Sequence, residues 1–209
     1  MTRRPGVTAI VLAGGQASRF GSSKLSAELH GRTLLEHALR AVASVADEIV
    51  IAGPPSLVTY DPGARPIRVV ADSEPFAGPM AALVGVLRGT DSALAIVVGG
   101  DMPALVPAVL ATMLLRLALD DALDAVLLAN PVEDSGKRQV LPLAVRVAAA
   151  LAAATTAINA GDRSLVRLVD RMRSMEIPAP EWLALDPVGR TLLDVDLPAD
   201  LERIRNEFR

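Results

Sequence analysis

Between Val7 and Lys24 the sequence reads VTAIVLAGGQASRFGSSK, an apolar run that empties into a glycine-rich loop and ends on two cations, Arg19 and Lys24. Gly14 and Gly15 have no Cβ, so the chain can turn sharply there and its amide N–H groups can approach a ligand closely. Amides converging in such a loop form an anion-binding concavity, and a guanidinium and an ammonium beside it add full positive charge. The chemistry that suits this set is the holding of a polyphosphate. Two familiar phosphate loops do not match. A P-loop places Lys directly after its last Gly, whereas Gly21 is followed by Ser22, Ser23 and only then Lys24. The dinucleotide fingerprint alternates its glycines, but Gly14 and Gly15 are adjacent. Taken alone, the segment reads equally well as a tight strand-to-helix turn flanked by solvated charges.

A second set is carboxylic. The apolar run Ala93 to Val98 leads straight into Gly99, Gly100, Asp101, Met102 and Pro103. Ligands of open α/β sheets sit at the carboxyl ends of the strands, so Asp101 is expected on the same rim as the glycine loop, in reach of a metal held by phosphates. Its alternative role is a cap for the helix after Pro103. Asp194 and Asp196, in LLDVDLPADL, fall on one face of an extended segment, and Asp196 is equally placed to cap the last helix. Arg163 and Ser164 in GDRSL could bind a phosphate at a helix N-terminus, with Asp162 as a simple cap the alternative. His30, in an LHGR turn, and His37, in an amphipathic helix, have no titratable partner at a strand end and read as structural.

The elements that must position these residues alternate. Strand-like runs near 7–12, 48–52, 67–71, 94–98 and 124–129 are separated by helical patterns near 33–45, 79–89, 105–118, 161–172 and 197–207. Thr33 and Glu36 have capping-box spacing. A polar loop is expected over 131–139, followed by a strand over 140–145, and the Pro-rich stretch 177–189 holds the single Trp. Alternation of this kind predicts an α/β fold with a mostly parallel central sheet and helices on both faces. At 209 residues one domain, 1–209, is expected.

Composition excludes other classes. Net charge is −3 and spread along the chain, and only one Trp, one Tyr and three Phe are present, so nucleic acid is not an expected partner. The absence of Cys excludes thiolate metal sites and thiol nucleophiles and agrees with a reducing, cytoplasmic setting. The apolar stretch 140–158 is interrupted by Pro142 and Arg146 and is rich in Ala, which argues for a strand and a helix rather than a membrane span.

Together the segments resemble the MobA-like nucleotidyltransferases, the molybdenum cofactor guanylyltransferase type, and the resemblance implies their fold, a Rossmann-like three-layer sandwich with a mostly parallel central sheet, that of the nucleotide-diphospho-sugar transferases. The family's opening, LAGG and then R-(M/F)-G-x-x-K, stands here as Leu12 to Gly15, Arg19, Phe20, Gly21 and Lys24. In sequence order follow GRTLLEHAL, the strand-end Asp72, Gly78-Pro79-Met80 where the family often has GPL, GDMP around Asp101, QVLPLAV, GDRSL and DVDLPADL. The resemblance implies transfer of a nucleoside monophosphate from a nucleoside triphosphate to a phosphorylated acceptor, with loss of pyrophosphate. It implies GMP from GTP and molybdopterin as acceptor, with cytidylyl transfer, another small phosphorylated metabolite, or a non-catalytic nucleotide-binding accessory role as alternatives.

By that resemblance the catalytic residues are Arg19, Lys24 and Asp101. Leu12, Ala13, Gly14, Gly15, Lys24, Asp72, Gly78 and Asp101 hold the nucleotide, and Asp101 and Asp196 hold Mg²⁺. A transient contact with molybdoenzyme maturation proteins is also implied, and no membrane partner. Two departures bear on substrate. The family's terminal N-x-N-T-P is Asp194-Val195-Asp196-Leu197-Pro198 here, which keeps oxygen ligands, and Ser23 stands where many guanylyltransferases of the group have Asp. Gly15, where cytidylyltransferases usually read LAAG, favours the guanylyl branch.

Overall fold

The computed structural model describes residues 4–14, 24–54, 65–71, 78–131 and 138–207. The first half provides β1 (Arg4–Leu12), a hairpin of β2 (Glu28–Leu29) and β3 (Arg32–Thr33), α1 (Leu34–Ala43), β4 (Glu48–Ala52), β5 (Ile67–Val70), α2 (Pro79–Arg88) and β6 (Ser92–Gly99). The second half provides α3 (Pro107–Leu119), β7 (Ala125–Leu128), β8 (Leu143–Arg146), α4 (Val147–Asn159), α5 (Leu165–Val169), β9 (Ser174–Ile177), α6 (Ala179–Trp182) and α7 (Pro198–Glu207). Single 3-10 turns lie at Lys24–Ser26 and Arg190–Leu192.

Seven strands form one sheet in the order β5-β4-β1-β6-β8-β7-β9. All neighbours are parallel except β8, which runs antiparallel to both β6 and β7. Alternating side chains feed two cores. Ala9 and Val11 of β1, Ile96 and Val98 of β6 and Val126 and Leu128 of β7 meet α1 and α3 on one face. Ile10, Ala95, Val97, Ala125 and Leu127 meet α2, α4 and α5 on the other. Strands covered on both faces must be apolar at every position, which is why the central ones read as continuous hydrophobic runs. A third, smaller cluster of Leu29, Leu34, Val195, Leu201 and Ile204 ties the hairpin and the start of α1 to α7. No helix among the described residues is long and apolar enough to cross a membrane.

The capping box at α1 forms as its spacing predicts: Thr33 Oγ1 accepts from the Glu36 amide at 3.2 Å and Glu36 Oε2 accepts from the Thr33 amide at 2.7 Å. The helix expected over 161–172 does not extend that far. Gly161, at φ +83°, ends α4, and only Leu165–Val169 is helical, capped by Ser164 accepting from the Val166 amide. The chain then enters β9, a strand the sequence does not announce, because an edge strand is covered on fewer sides and SMEI keeps an exposed Glu176.

One ion pair fastens that edge. The Arg173 guanidinium bonds both oxygens of Asp124 at 2.8 Å, and Asp124 Oδ2 also accepts from the Arg173 amide. The bidentate Arg173 contact holds the Asp124 carboxyl below its ordinary value of 3.8. A depressed carboxyl stabilises the folded state above its unfolded pKa, and that contribution is lost as pH falls through the folded value. Asp124→Asn is therefore expected to melt below wild type at neutral pH, with the gap closing in acid below about pH 4. Melting curves of both proteins across pH check this; a gap that persists unchanged in acid contradicts it.

Candidate active site

The carboxyl ends of four strands are stitched side by side into one rim. The Ala13 amide donates to Ala52 O at 2.8 Å, Gly53 to Val70 O at 3.0 Å and Gly100 to Leu12 O at 2.9 Å. Side chains would obstruct this seam. A Cβ on Gly53 would lie 3.1 Å from the Ala13 backbone, and one on Gly100 would lie 3.3 Å from both Leu25 and Leu35 side chains. The close approach at Gly100 brings Leu25 over the end of β6, and with Leu25 comes its neighbour Lys24.

Lys24 Nζ lies 2.6 Å from Asp101 Oδ2 and 3.0 Å from Asp196 Oδ1. Residues 172 positions apart thus meet at one atom. Each partner has its own anchor. Asp101 sits in the turn after β6, where the Gly99 amide is directed at Met102 Sδ at 3.4 Å and the Met102 amide donates to Gly99 O. Its carboxylate occupies the place a Cβ on Gly99 would need, so Gly99 belongs to the site although only the residue type, a glycine after a buried strand, hinted at it. Asp196 is brought in from the other end of the chain. The buried Val195 donates its amide to Asp101 O at 3.0 Å and packs with Leu201 and Ile204 of α7.

The cap readings for the acids are not what the structure shows. The residue before α3 is Val106, not Asp101, and the amides of Asp196 and Leu197 at the head of α7 are taken by Asp200 Oδ2 at 3.1 and 2.8 Å. Both carboxylates therefore remain directed at the ammonium. Burial alone would push Lys24 down, but the Asp101 and Asp196 contacts outweigh it and hold the amine above its ordinary value, so it is a cation at neutral pH. The site is neither sealed nor fully wet: side-chain exposure is 21% for Lys24, 23% for Asp101 and 56% for Asp196.

Two hard oxygen donors facing one cation fit a magnesium-like ion, which keeps several waters or takes substrate phosphates and needs only one or two carboxylates. Among the described residues no group of three or more acidic or His side chains could enclose a metal without such help.

Of the other expected site residues, Leu12, Ala13 and Gly14 lie at the end of β1, with Gly14 exposed. Gly78 begins α2 at φ +92°, and a Cβ there would sit 3.7 Å from Arg163, so the GPM and GDRSL segments meet. Asp162 does not cap a helix but pairs with Arg171 at 2.7 Å. His37 Nε2 is bonded to Leu29 O at 2.8 Å and His30 occupies the hairpin turn at φ 48°. Gly15, Arg19 and Asp72, and most of the polar loop over 131–139, lie outside the described residues.

Residues 9–175 match the family described as MobA-like NTP transferase domain. The chain belongs to that family. It is 32% identical over 203 residues to a probable molybdenum cofactor guanylyltransferase of Chloroflexus aggregans, covering 95% of this chain and 93% of the relative. It is 30% identical over 162 residues to the molybdenum cofactor guanylyltransferase of Shewanella halifaxensis, covering 76% of each. Among solved structures, molybdopterin-guanine dinucleotide biosynthesis protein A from Archaeoglobus fulgidus superimposes with a TM-score of 0.76 at 20% identity, over 96% of this chain and 97% of that one. A 4-diphosphocytidyl-2C-methyl-D-erythritol synthase from Anaerococcus prevotii gives 0.71 at 17% identity, over 97% of this chain and 98% of that one. At such identities these two show the shared nucleotide-diphospho-sugar transferase fold. Membership in the MobA-like family makes the chain a nucleotidyltransferase of the molybdenum cofactor guanylyltransferase type.

Proposed function

We propose that this MobA-like protein transfers GMP from GTP to the terminal phosphate of molybdopterin or the molybdenum cofactor, releasing pyrophosphate. The observation that carries the reading is the meeting of Lys24 with Asp101 and Asp196 on the rim where β1 and β6 end. The acceptor phosphate oxygen forms a bond to the α-phosphorus of GTP while the bond from that phosphorus to the pyrophosphate oxygen breaks. The acceptor is already an anion at neutral pH, so no general base is needed. What the protein must supply is stabilisation of charge on the nonbridging oxygens and on the leaving group.

Lys24 provides a positive charge for the phosphates, and Arg19 a second one by resemblance. The loop amides of Gly14 and Gly15 are assigned to the polyphosphate, and Leu12 and Ala13 to the base or ribose. Asp72 and Gly78 are assigned to the ribose and base. Asp101 and Asp196 would hold Mg²⁺, which when bound neutralises phosphate charge. The acceptor phosphate is assigned to Arg163 and Ser164, of which Arg163 lies against the Gly78 end of α2. The reading takes 1–209 as one domain, because strands from both halves share one sheet. It places the protein in the cytoplasm, with neither nucleic acid nor membrane as partner and a transient contact with molybdoenzyme maturation proteins for delivery.

A thermal-shift panel with GTP, CTP, ATP and UTP, each with Mg²⁺, tests the nucleotide. At about a hundred times the dissociation constant a bound nucleotide adds ~2.7 kcal/mol. In a domain of this size that is a rise of about 5–10 °C. GTP is expected to give that rise, and pyrophosphate release is expected once molybdopterin is added. A rise with CTP alone moves the assignment to cytidylyl transfer. A rise with GTP but no pyrophosphate with any acceptor, unchanged in Lys24→Ala, moves it to a nucleotide-binding accessory role.

A further inference from the structure

The Lys24 ammonium stands in the place between two carboxylates that the metal reading needs, and it holds both of them at 2.6 and 3.0 Å. One position cannot take both cations. We propose that Lys24 is a resident counter-ion of the acid pair, and that a divalent cation and Lys24 exchange there: the metal enters between Asp101 and Asp196 only as the lysine leaves for the nucleotide phosphates. This rests on the metal and nucleotide reading above and adds an order to it.

The side chain is suited to the exchange. An ammonium is a compact, strongly hydrated point charge on a flexible stem, with donors that rotate, whereas a guanidinium is a rigid planar fork. Of the 21 Lys and Arg residues in the chain only Lys24 and Lys137 are lysines. Among the described residues, neither acid is locked by a side chain other than Lys24 that would have to move with it. Asp101 is held through its backbone by the Val195 amide, and Asp196 is more than half exposed. The amides of Asp196 and Leu197 at the head of α7 are taken by Asp200, and among the described residues the ammonium is the cationic partner of the acid pair.

The energetic consequence is a coupling between metal and nucleotide. Metal arriving alone must break two charge-assisted contacts and leave the ammonium in water. Metal arriving with a triphosphate gives that ammonium new anionic partners. The free ion therefore binds weakly, the metal–nucleotide complex binds as a unit, and by linkage each strengthens the other.

Two measurements on the full chain test this, and neither reads turnover. The first uses the scarcity of lysine. Reductive ¹³C-methylation keeps the positive charge and labels only Lys24, Lys137 and the amino terminus, and the Lys24 signal is identified by its loss in Lys24→Met. Mg²⁺ with GTP is expected to move the Lys24 signal saturably, with Mg²⁺ alone doing so only at much higher concentration. The second is Mn²⁺ binding to unmodified protein by calorimetry without nucleotide. Lys24→Met is expected to bind Mn²⁺ more tightly than wild type by about fivefold or more, the lower end of ordinary site-to-site couplings. Asp101→Asn is expected to lose that binding. A Lys24 signal indifferent to Mg²⁺ and GTP in a protein that binds Mn²⁺ with GTP overturns the exchange and the assignment of Lys24 to the phosphates, and leaves metal and nucleotide binding standing. A Lys24→Met protein that binds free Mn²⁺ no better than wild type overturns the exchange in the same way. Absence of any Mn²⁺ binding, with or without GTP, overturns the metal reading and the exchange with it.

Discussion

Asp101→Asn is expected to lower nucleotidyl transfer by about 10²- to 10³-fold, the usual consequence of removing one preorganised electrostatic group from an active site. The substitution keeps the shape of the side chain, so the fit beside Gly99 and the backbone contact from Val195 are retained. It removes the charge that faces Lys24 at 2.6 Å. Stability should hardly change, because a partly exposed ion pair contributes only about 0–1 kcal/mol. The signature is a collapse in pyrophosphate release at saturating GTP with a melting temperature within a few degrees of wild type. Asp196→Asn should follow the same direction with a smaller loss, since that carboxylate is more than half exposed. An Asp101→Asn enzyme working within about threefold of wild type would remove Asp101 from the chemistry.

Trp182→Ala is expected to cost about 3–5 kcal/mol of stability, as truncation of a buried aromatic does. The single Trp is fully buried in the core shared by Leu128, Ile177, Leu105 and Val109, and its indole N–H donates to Ala129 O at 3.0 Å. Its effect should reach the site as well. The segment beyond it turns at Gly189, φ +69°, where the Trp182 ring lies 3.6 Å from the space a Cβ would fill. Buried Asp186 then accepts from the Thr191 amide at 2.7 Å, and Thr191 Oγ1 accepts from the Val106 amide at the head of α3. That chain of contacts delivers Val195 and Asp196 to Asp101. A fall in melting temperature of about 6–20 °C is expected. Activity at permissive temperature should weaken chiefly through a higher requirement for divalent metal. Trp182→Phe, which keeps most of the ring, separates the packing loss from the lost hydrogen bond and should cost about 1–3 kcal/mol. A Trp182→Ala protein melting with wild type would contradict the core assignment.

The stretch around Trp182 also marks where legibility ends. An irregular, Pro-rich segment announces neither that its one indole closes the edge of a core nor that Asp186 inside it is buried. The short edge strand β9 and the reversal of β8 are equally silent. Both depend on which neighbour a strand finds, and a four-residue strand carries no record of its partner. The polar GDRSL segment suggests a helix start because Asp and Ser are cap residues; Gly161 instead ends the preceding helix and Ser164 alone caps the next.

By itself the sequence determined the alternation of strands and helices, the central position of the runs buried on both faces, the capping box at α1 and the residues able to handle phosphate and metal. Those properties are local: they follow from periodicity, from the absence of a Cβ and from the charge a side chain carries. Only the tertiary structure decided that Lys24, Asp101 and Asp196 share one point, that the acids face the ammonium instead of capping helices, and that Gly99 makes room for a carboxylate. Such convergence depends on parallel strands ending at one rim and on α7 folding back against the β2–β3 hairpin. Contacts between residues 172 positions apart exist only once both cores have closed.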